Sequence, residues 1–174
     1  MGYKSLIISL LYVLIVAGCA NNQSSEADQI PYIVTTTGMI ADAAKAIAGD
    51  SARVEALMGP GVDPHLYKAT QGDLSRLTKA DVVFYNGLHL EGKMGDVLEK
   101  LGRQQTVAAV AEKIPDNRLF QVPEFNNNYD PHIWFDVVLW KLAVEETRRA
   151  LTELDSMHAD IYQANADSFQ LELD

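Results

Sequence analysis

Two of the four histidines in this chain follow the same dipeptide, in Asp63-Pro64-His65 and in Asp130-Pro131-His132. With aspartate and proline each near 5% of residues, one histidine has roughly a 1 in 400 chance of that setting, so the repeat calls for a physical cause. Proline fixes its own φ and pushes the preceding residue toward extended backbone, so each tripeptide presents an imidazole from a stiff, non-helical turn. Histidine is also the commonest metal-binding side chain. The repeat therefore predicts that His65 and His132 bind one metal ion together.

The two aspartates have a use in such a site. Metal-bound imidazoles usually donate their second N–H to a carboxylate, a carbonyl or water, which makes Asp63 and Asp130 candidates for orienting the rings. The alternative is that each Pro-His turn only caps a surface loop, and the duplication favours the metal site over that explanation. His89 is a weaker candidate for a third ligand, because a polar loop histidine is the more common explanation. His158, at the start of a charged helical segment, is expected to be solvated.

The segments around the two turns alternate between strand and helix patterns. Short β-branched runs predict strands, and the Ala-rich or amphipathic segments between them predict helices. The predicted strands are 32–36, 53–57, 82–85 and 106–110, and the predicted helices are 38–48, 70–79 and 91–101. This alternation is typical of βαβ units and predicts an α/β fold, with a parallel sheet flanked by helices. Ligands of such sheets bind beyond the carboxyl ends of the strands, so His65 and His132 are expected to meet at that edge.

The chain from Phe135 to its last residue contains neither Gly nor Pro, and its pattern predicts two helices. Asp136 is expected to cap the first, and Asp155-Ser156 to end it and begin a second from about His158. The apolar residues of the second helix either form an exposed patch that marks a missing partner or pack back on their own domain. These residues are Ile161, Tyr162, Phe169, Leu171 and Leu173. Three aromatic side chains are expected to pack in the core or against helices: Trp134, Phe135 and Trp140.

The first residues have the pattern of an export signal. Lys4 gives a positive start, residues 6–16 are apolar apart from one serine, and small residues precede Cys19, which predicts a signal peptide over 1–18. The apolar run is too short for a comfortable membrane-spanning helix. The sequence Val-Ala-Gly-Cys ending at Cys19 resembles the bacterial lipobox, which implies lipid attachment to that sulfur and a polar tether over 19–30. The alternatives are an ordinary signal peptide with a stray cysteine, or a buried apolar helix.

The composition indicates a globular, acidic protein. It is 48% hydrophobic and 22% charged, with a net charge of -10 and a mean hydropathy of -0.06. An acidic protein without clustered Lys and Arg argues against nucleic acid as a partner. The single cysteine cannot form an internal disulfide. No phosphate-binding loop or dinucleotide motif occurs.

Four segments of the sequence carry a resemblance to a known family. Residues 39–43, 56–67, 85–94 and 129–137 resemble the manganese and zinc solute-binding proteins of bacterial ABC importers. The resemblance runs from about Ile33 to the end of the chain. It implies a non-enzymatic protein, anchored by lipid outside the cytoplasmic membrane, that captures divalent manganese or zinc as the transported ligand and passes it to an ABC permease.

The resemblance also implies a domain organisation. Residues 31–155 correspond to the N-terminal metal-binding lobe, and residues 156–174 to the start of the helix that links it to a second lobe. His65 and His132 stand at the positions of the first lobe's two ligands. The second lobe, whose ligands are commonly a Glu or His and an Asp, is expected to be absent, and the sequence is expected to be truncated. Weak metal binding follows as an expectation, because two imidazoles leave the charge of the ion uncompensated. The absence of histidine from residues 112–130 favours manganese, or mixed manganese and zinc binding, over a zinc-specific site.

Two other functions stay open on the sequence alone. A zinc hydrolase could use two histidines and a carboxylate with an open position for water. No His-Glu-x-x-His motif supports it, and no glutamate near either tripeptide is placed as an evident general base. The second alternative is surface adhesion, a role that has been attached to relatives of this family on the same fold.

Overall fold

The computed structural model of this chain describes residues 30–123 and 128–174. The predicted signal peptide and nearly all of the predicted tether, including Cys19, lie outside the described residues. Within the part that is described, no helix has the length and apolar character needed to cross a membrane.

A four-stranded parallel sheet forms the centre of the fold. Its strands are β1 (Tyr32–Thr35), β2 (Arg53–Ala56), β3 (Val82–Tyr85) and β4 (Thr106–Ala109), in the spatial order β2-β1-β3-β4. β1 pairs in parallel with β2 on one side and with β3 on the other. The predicted parallel α/β sheet is thereby confirmed. A second, two-stranded antiparallel sheet, which the sequence did not predict, pairs β5 (Gln121–Val122) with β6 (Asn128–Tyr129).

Within the described residues, five α-helices flank the sheet. They are α1 (Gly38–Ala48), α2 (Gln71–Lys79), α3 (Gly95–Leu101), α4 (Val137–Leu154) and α5 (Ala159–Glu172). α4 begins as predicted, because the Asp136 carboxylate accepts the backbone N–H groups of Val138 and Leu139 at 2.9 and 3.2 Å. A single 3₁₀ turn, Ser156–His158, separates α4 from α5.

The two central strands, β1 and β3, bury both of their faces, as their apolar runs require. Successive side chains in a strand point to opposite faces of the sheet. Ile33 and Phe84 therefore lie in one apolar cluster with α1, α4 and α5, whereas Val34 and Val83 lie in the other with α2 and α3. All four side chains are fully buried. The two cores hold the carboxyl edge of the sheet rigid, and that edge carries the candidate site.

The third predicted helix begins later than expected, at Gly95 instead of Glu91. Residues 88–94 form a run of turns instead, in which the Met94 N–H donates to the Glu91 carbonyl at 2.9 Å. At its start, Gly87, Leu88 and His89 have positive φ values of 84°, 52° and 64°, which no right-handed helix accommodates. Two of the three are not glycine, and a non-glycine residue in this region costs about 1–3 kcal/mol. The Glu91 side chain accepts backbone N–H groups of this turn, and such local bonds compete with helix formation.

One aromatic prediction was wrong. Phe135 is 82% exposed, although Trp140 is buried in the core as expected and Trp134 is half-buried. The backbone of Phe135 lies in the 3₁₀ turn Ile133–Phe135 that directly follows His132, so its ring projects at the edge of the sheet instead of into the core.

The last helix packs back on the domain. Tyr162 and Ala166 are fully buried, and α5 lies against both α1 and α4. The Asn165 side chain donates to the Ile47 carbonyl of α1 at 2.9 Å. Ile161 and Leu171 stay 46% and 75% exposed. The apolar residues of α5 are therefore divided between a packed face and a solvent face.

Candidate metal-binding site

The two predicted ligands meet, although 67 positions separate them in the chain. The Nε2 atoms of His65 and His132 are 3.3 Å apart, and their rings are inclined at 64°. A tetrahedral metal centre with metal–nitrogen bonds of about 2.0–2.1 Å requires a nitrogen–nitrogen separation of about 3.3–3.4 Å. The pair is therefore spaced as two ligands of one ion would be.

The two tripeptides fold in the same way. In each, the aspartate Oδ1 accepts the backbone N–H of the histidine two residues later, at 2.9 Å in both cases. This is the turn that short acidic side chains form with their own backbone, and the intervening proline stiffens it. The repeated sequence thus produces a repeated geometry that aims each imidazole from a fixed backbone.

The two aspartates differ in what else they bind. Asp130 Oδ1 lies 2.6 Å from His132 Nδ1, whereas among the described contacts Asp63 reaches His65 only at the backbone. Burial acts to raise the pKa of Asp130, but its hydrogen bonds to His132 and the charges of the two histidines outweigh this and hold the pKa below its ordinary value of 3.8. An ionised Asp130 accepts the Nδ1 proton of His132, which leaves Nε2 as the nitrogen available to a metal.

The histidine pair opens into a cavity of about 310 Å³. Its lining residues are His65, Leu88, His89, Asn128, Tyr129, Pro131 and His132. The Trp134 ring packs edge-on against His132, with ring centroids 5.3 Å apart. Two large apolar side chains, Leu66 and Phe135, project into solvent beside the pair, at 66% and 82% exposure. The histidine pair thus packs against Trp134 on one side and opens to solvent on the other.

The two imidazoles belong to no larger cluster of metal-binding side chains among the described residues. Across residues 30–123 and 128–174, no group of three or more His, Cys, Asp or Glu side chains is arranged to hold a metal ion. His89 lines the cavity but belongs to no such group, and its side chain is exposed. His158 lies at the junction of α4 and α5, where its Nδ1 is 2.6 Å from Asp155. It is half-buried and paired, not fully solvated as predicted.

Sequence reasoning missed the residues that support the pair. Asn86 donates through Nδ2 to the Pro131 carbonyl at 2.9 Å, and Glu91 accepts the backbone N–H of Asn86 at 2.7 Å. Burial raises the pKa of the Glu91 carboxyl above its ordinary value of 4.5, although its hydrogen bonds from Asn86, Gly87 and Thr36 act in the opposite direction. The available signal was an Asn-Gly pair directly after a buried strand, followed by a glutamate within an apolar context.

Comparison with known proteins places this geometry in a family. Residues 33–174 match the family model described as ZnuA, zinc-uptake complex component A, periplasmic. The chain belongs to this family. The match includes both tripeptides and nearly every helix and strand described above.

Individual relatives agree with the ZnuA family assignment. The chain is 46% identical over 172 residues to the manganese-binding lipoprotein MntA of Bacillus subtilis, covering 98% of this chain and 56% of that protein. It is 44% identical over 153 residues to the zinc-binding protein TroA of Treponema pallidum, covering 88% of this chain and 49% of TroA. The chain therefore spans about half the length of the curated relatives it matches.

Solved structures of the ZnuA family share the fold. The periplasmic zinc-binding protein TroA from Treponema pallidum superposes with a TM-score of 0.80 at 45% identity, covering 83% of this chain and 52% of TroA. A manganese-bound periplasmic metal-binding protein from Candidatus Liberibacter asiaticus superposes with a TM-score of 0.74 at 28% identity, covering 82% of this chain and 52% of that chain. The parallel sheet with its flanking helices is thus shared with about half of each of these chains.

Proposed function

We propose that this chain forms a metal-binding lobe of an extracytoplasmic solute-binding protein, which captures divalent manganese or zinc for an ABC importer. The observation that carries the proposal is the 3.3 Å separation of the two Nε2 atoms, held by two identical turns. His65 and His132 act as ligands to the ion, and Asp130 orients His132 through Nδ1. The ion is cargo, bound at the open edge of the sheet and released to the permease.

The relatives support this choice of cargo and location. They are named for binding manganese and zinc, and MntA is named as a lipoprotein. A lipid on Cys19 would hold the protein at the outer face of the cytoplasmic membrane, where the importer's permease is its partner. Imidazole suits zinc, and manganese prefers added carboxylate or water oxygen. The alternatives of a zinc hydrolase and a surface adhesin gain no support from relatives named for metal binding.

Removal of either imidazole tests the proposal. We expect His65→Ala and His132→Ala each to weaken zinc binding at least about 10-fold, because loss of a ligand costs no less than loss of a partner that orients one. His89→Ala is the matched control, since His89 lines the same cavity, and its affinity should stay at the wild-type value. Calorimetric titration with zinc and with manganese measures all four proteins.

Two results would contradict the proposal. The first is wild-type affinity in both ligand variants, and the second is an equal loss in His89→Ala. Binding by the wild-type chain should also be weak, because water must complete the coordination shell of an ion held by two imidazoles. Nanomolar affinity in this chain would show that the two-histidine account of its site is wrong.

A further inference from the structure

One segment touches both histidine-bearing turns. We propose that residues 86–92, here called the brace, set the separation of His65 and His132, and that Asn86 and Glu91 are positioning residues for metal capture. The inference rests on the proposed function, because positioning matters only if the pair binds an ion. Three sets of contacts carry it, one to each turn and one to the sheet.

The first contact holds the second tripeptide. Asn86 is 1% exposed, and its Nδ2 donates to the carbonyl of Pro131 at 2.9 Å and to that of Gly87 at 3.0 Å. Both partners can only accept, so the amide cannot be reversed. Among the described buried side-chain atoms, Asn86 Oδ1 is the one without a hydrogen-bond partner. Asn86 thus fixes the carbonyl directly preceding His132, and it does so as a donor.

The second contact supports the first tripeptide. A Cβ atom placed on Gly92 would lie 3.2 Å from the carbonyl oxygen of His65 and 3.9 Å from that of His89. The backbone of the brace therefore packs directly against the backbone of His65, at a distance that glycine alone permits without displacement. The brace therefore contacts the His132 turn through Asn86 at one end and the His65 turn through Gly92 at the other.

The third set of contacts ties the brace to the sheet. Glu91 is 3% exposed, and its Oε1 accepts the Asn86 N–H and the Thr36 hydroxyl, each at 2.7 Å. Its Oε2 accepts the Gly87 N–H at 3.3 Å. Thr36 directly follows β1, so one carboxylate joins the start of the brace to the central strand. It also holds the left-handed residues 87–89 in place, since strained backbone persists only where its surroundings determine it.

These contacts imply that the ligand spacing is prepared before the metal arrives. Besides the 3.3 Å approach of the two ring nitrogens, the two turns are related through the contacts that each makes with the brace. A site held about 1 Å too loosely loses much of its function even when every ligand is present. Breaking the brace should therefore weaken metal binding while both imidazoles remain.

Asn86→Asp is the most direct test, because it keeps the shape and turns the donor facing Pro131 into an acceptor. We expect it to weaken zinc binding about 10- to 100-fold, the range found when groups that orient ligands are lost. It should also alter the visible absorption of bound cobalt(II), which reports coordination geometry. Asn117→Asp is the matched control: it adds the same charge at an exposed position outside the cavity, and should keep the wild-type spectrum and the wild-type affinity.

A second pair of variants separates positioning from stability. Glu91→Gln keeps an oxygen for the Asn86 N–H and the Thr36 hydroxyl, so it should recover much of the affinity that Glu91→Ala loses. Tyr162→Phe lies on α5, on the packed side of that helix, and serves as a destabilised control. It should lower the midpoint of thermal unfolding and leave zinc affinity and the cobalt spectrum unchanged.

The inference and the proposed function can fail separately. Amide hydrogen exchange in the metal-free protein should be faster at residues 130–135 in Asn86→Asp than in Asn117→Asp, whether or not the chain binds metal. Unchanged exchange, or wild-type zinc affinity and cobalt spectrum in Asn86→Asp, would overturn the inference. Wild-type affinity in His65→Ala and His132→Ala would instead overturn the proposed function, and the exchange result would still decide whether the brace orders the His132 turn.

Discussion

At the scale of single residues, the two tripeptides have the same backbone hydrogen bond but differ in the contact between aspartate and imidazole. Asp63 and Asp130 each accept the N–H of the histidine two residues on, yet Asp130 alone of the two also binds the imidazole, at 2.6 Å. A carboxylate on Nδ1 raises the basicity of the nitrogen that binds metal and restricts rotation of the ring. His132 is therefore the better oriented of the two proposed ligands, and the orientation of His65 depends more on its turn and its neighbours.

This difference predicts unequal effects of the same substitution. Asp130→Asn should weaken zinc binding about 10-fold, because the amide keeps an acceptor but loses the charge that supports the ring. Asp63→Asn should change it much less, since the amide oxygen can still accept the His65 N–H. Calorimetric titration at neutral pH compares the two variants directly. Equal losses would mean that the Asp130 contact with the ring does not contribute to binding.

At the scale of elements, α2 is tied to the loop that carries His65. Asp73 is 1% exposed, and its carboxylate accepts the Thr70 N–H at 2.7 Å, the Thr70 hydroxyl at 2.8 Å and the Tyr67 hydroxyl at 2.7 Å. The Thr70 side chain in turn accepts the Asp73 N–H at 3.2 Å, which completes a capping box. Arg76 adds an ion pair to the same carboxylate. The helix start and the loop end are thus one hydrogen-bonded unit.

Removal of this carboxylate should destabilise the fold. Asp73→Ala is expected to lower the free energy of unfolding by about 3 kcal/mol, because it breaks a helix cap and leaves buried donors without an acceptor. Asp42→Ala, on the exposed face of α1, is the matched control and should stay within about 0.5 kcal/mol. Urea unfolding followed by circular dichroism gives both values. A loss below about 1 kcal/mol at Asp73 would contradict the role assigned to the network.

The same carboxylate should make stability depend on acid. Burial acts to raise the pKa of Asp73, but hydrogen bonds from Thr70, Tyr67 and Arg76 outweigh it and hold the pKa below its ordinary value of 3.8. A lowered folded pKa means that this stabilisation is complete above the ordinary value and is lost as the pH falls through the folded pKa. In Asp73→Asn the loss of stability below about pH 4 should therefore be shallower than in the wild type. Equal slopes of stability against pH in the two proteins would contradict this role of Asp73.

At the scale of the whole molecule, α5 closes the core. The ring of Tyr162 is fully buried, and its hydroxyl donates to Asp155 at 2.9 Å, which also binds His158 at 2.6 Å. Burial and the bond to Asp155 raise the pKa of Tyr162, so the hydroxyl stays protonated in the neutral range. α5 is therefore a structural part of this domain, packed on its core instead of extending away from it.

Truncation of the buried tyrosine should reveal that contribution. Tyr162→Ala is expected to lower the free energy of unfolding by about 4 kcal/mol, the typical cost of removing a buried aromatic side chain. Leu171→Ala, on the exposed face of the same helix, should stay within about 0.5 kcal/mol. Chemical unfolding of the two variants gives the comparison. Similar small losses in both would show that α5 is not integral to the domain.

Features that depend on neighbouring residues are predictable from the sequence alone. The strand and helix alternation, the cap at Asp136 and the stiff Asp-Pro-His turns follow from hydrophobic period, proline geometry and short side-chain bonds. The parallel sheet is confirmed, and the two histidines do meet at one edge. Each of these depends on interactions within a few residues or on a general rule for parallel sheets.

The remaining features depend on which distant segments pack together. The 3.3 Å between the imidazoles, the Asn86 bond to Pro131 across 45 positions and the Asn165 bond to Ile47 across 118 positions each join segments far apart in the chain. Whether α5 is exposed or packed on the domain also depends on contacts between distant segments. A residue pattern specifies which face is apolar, but not the surface that will cover it. Contact between distant segments decides that, because its free energy exists only once the chain has folded.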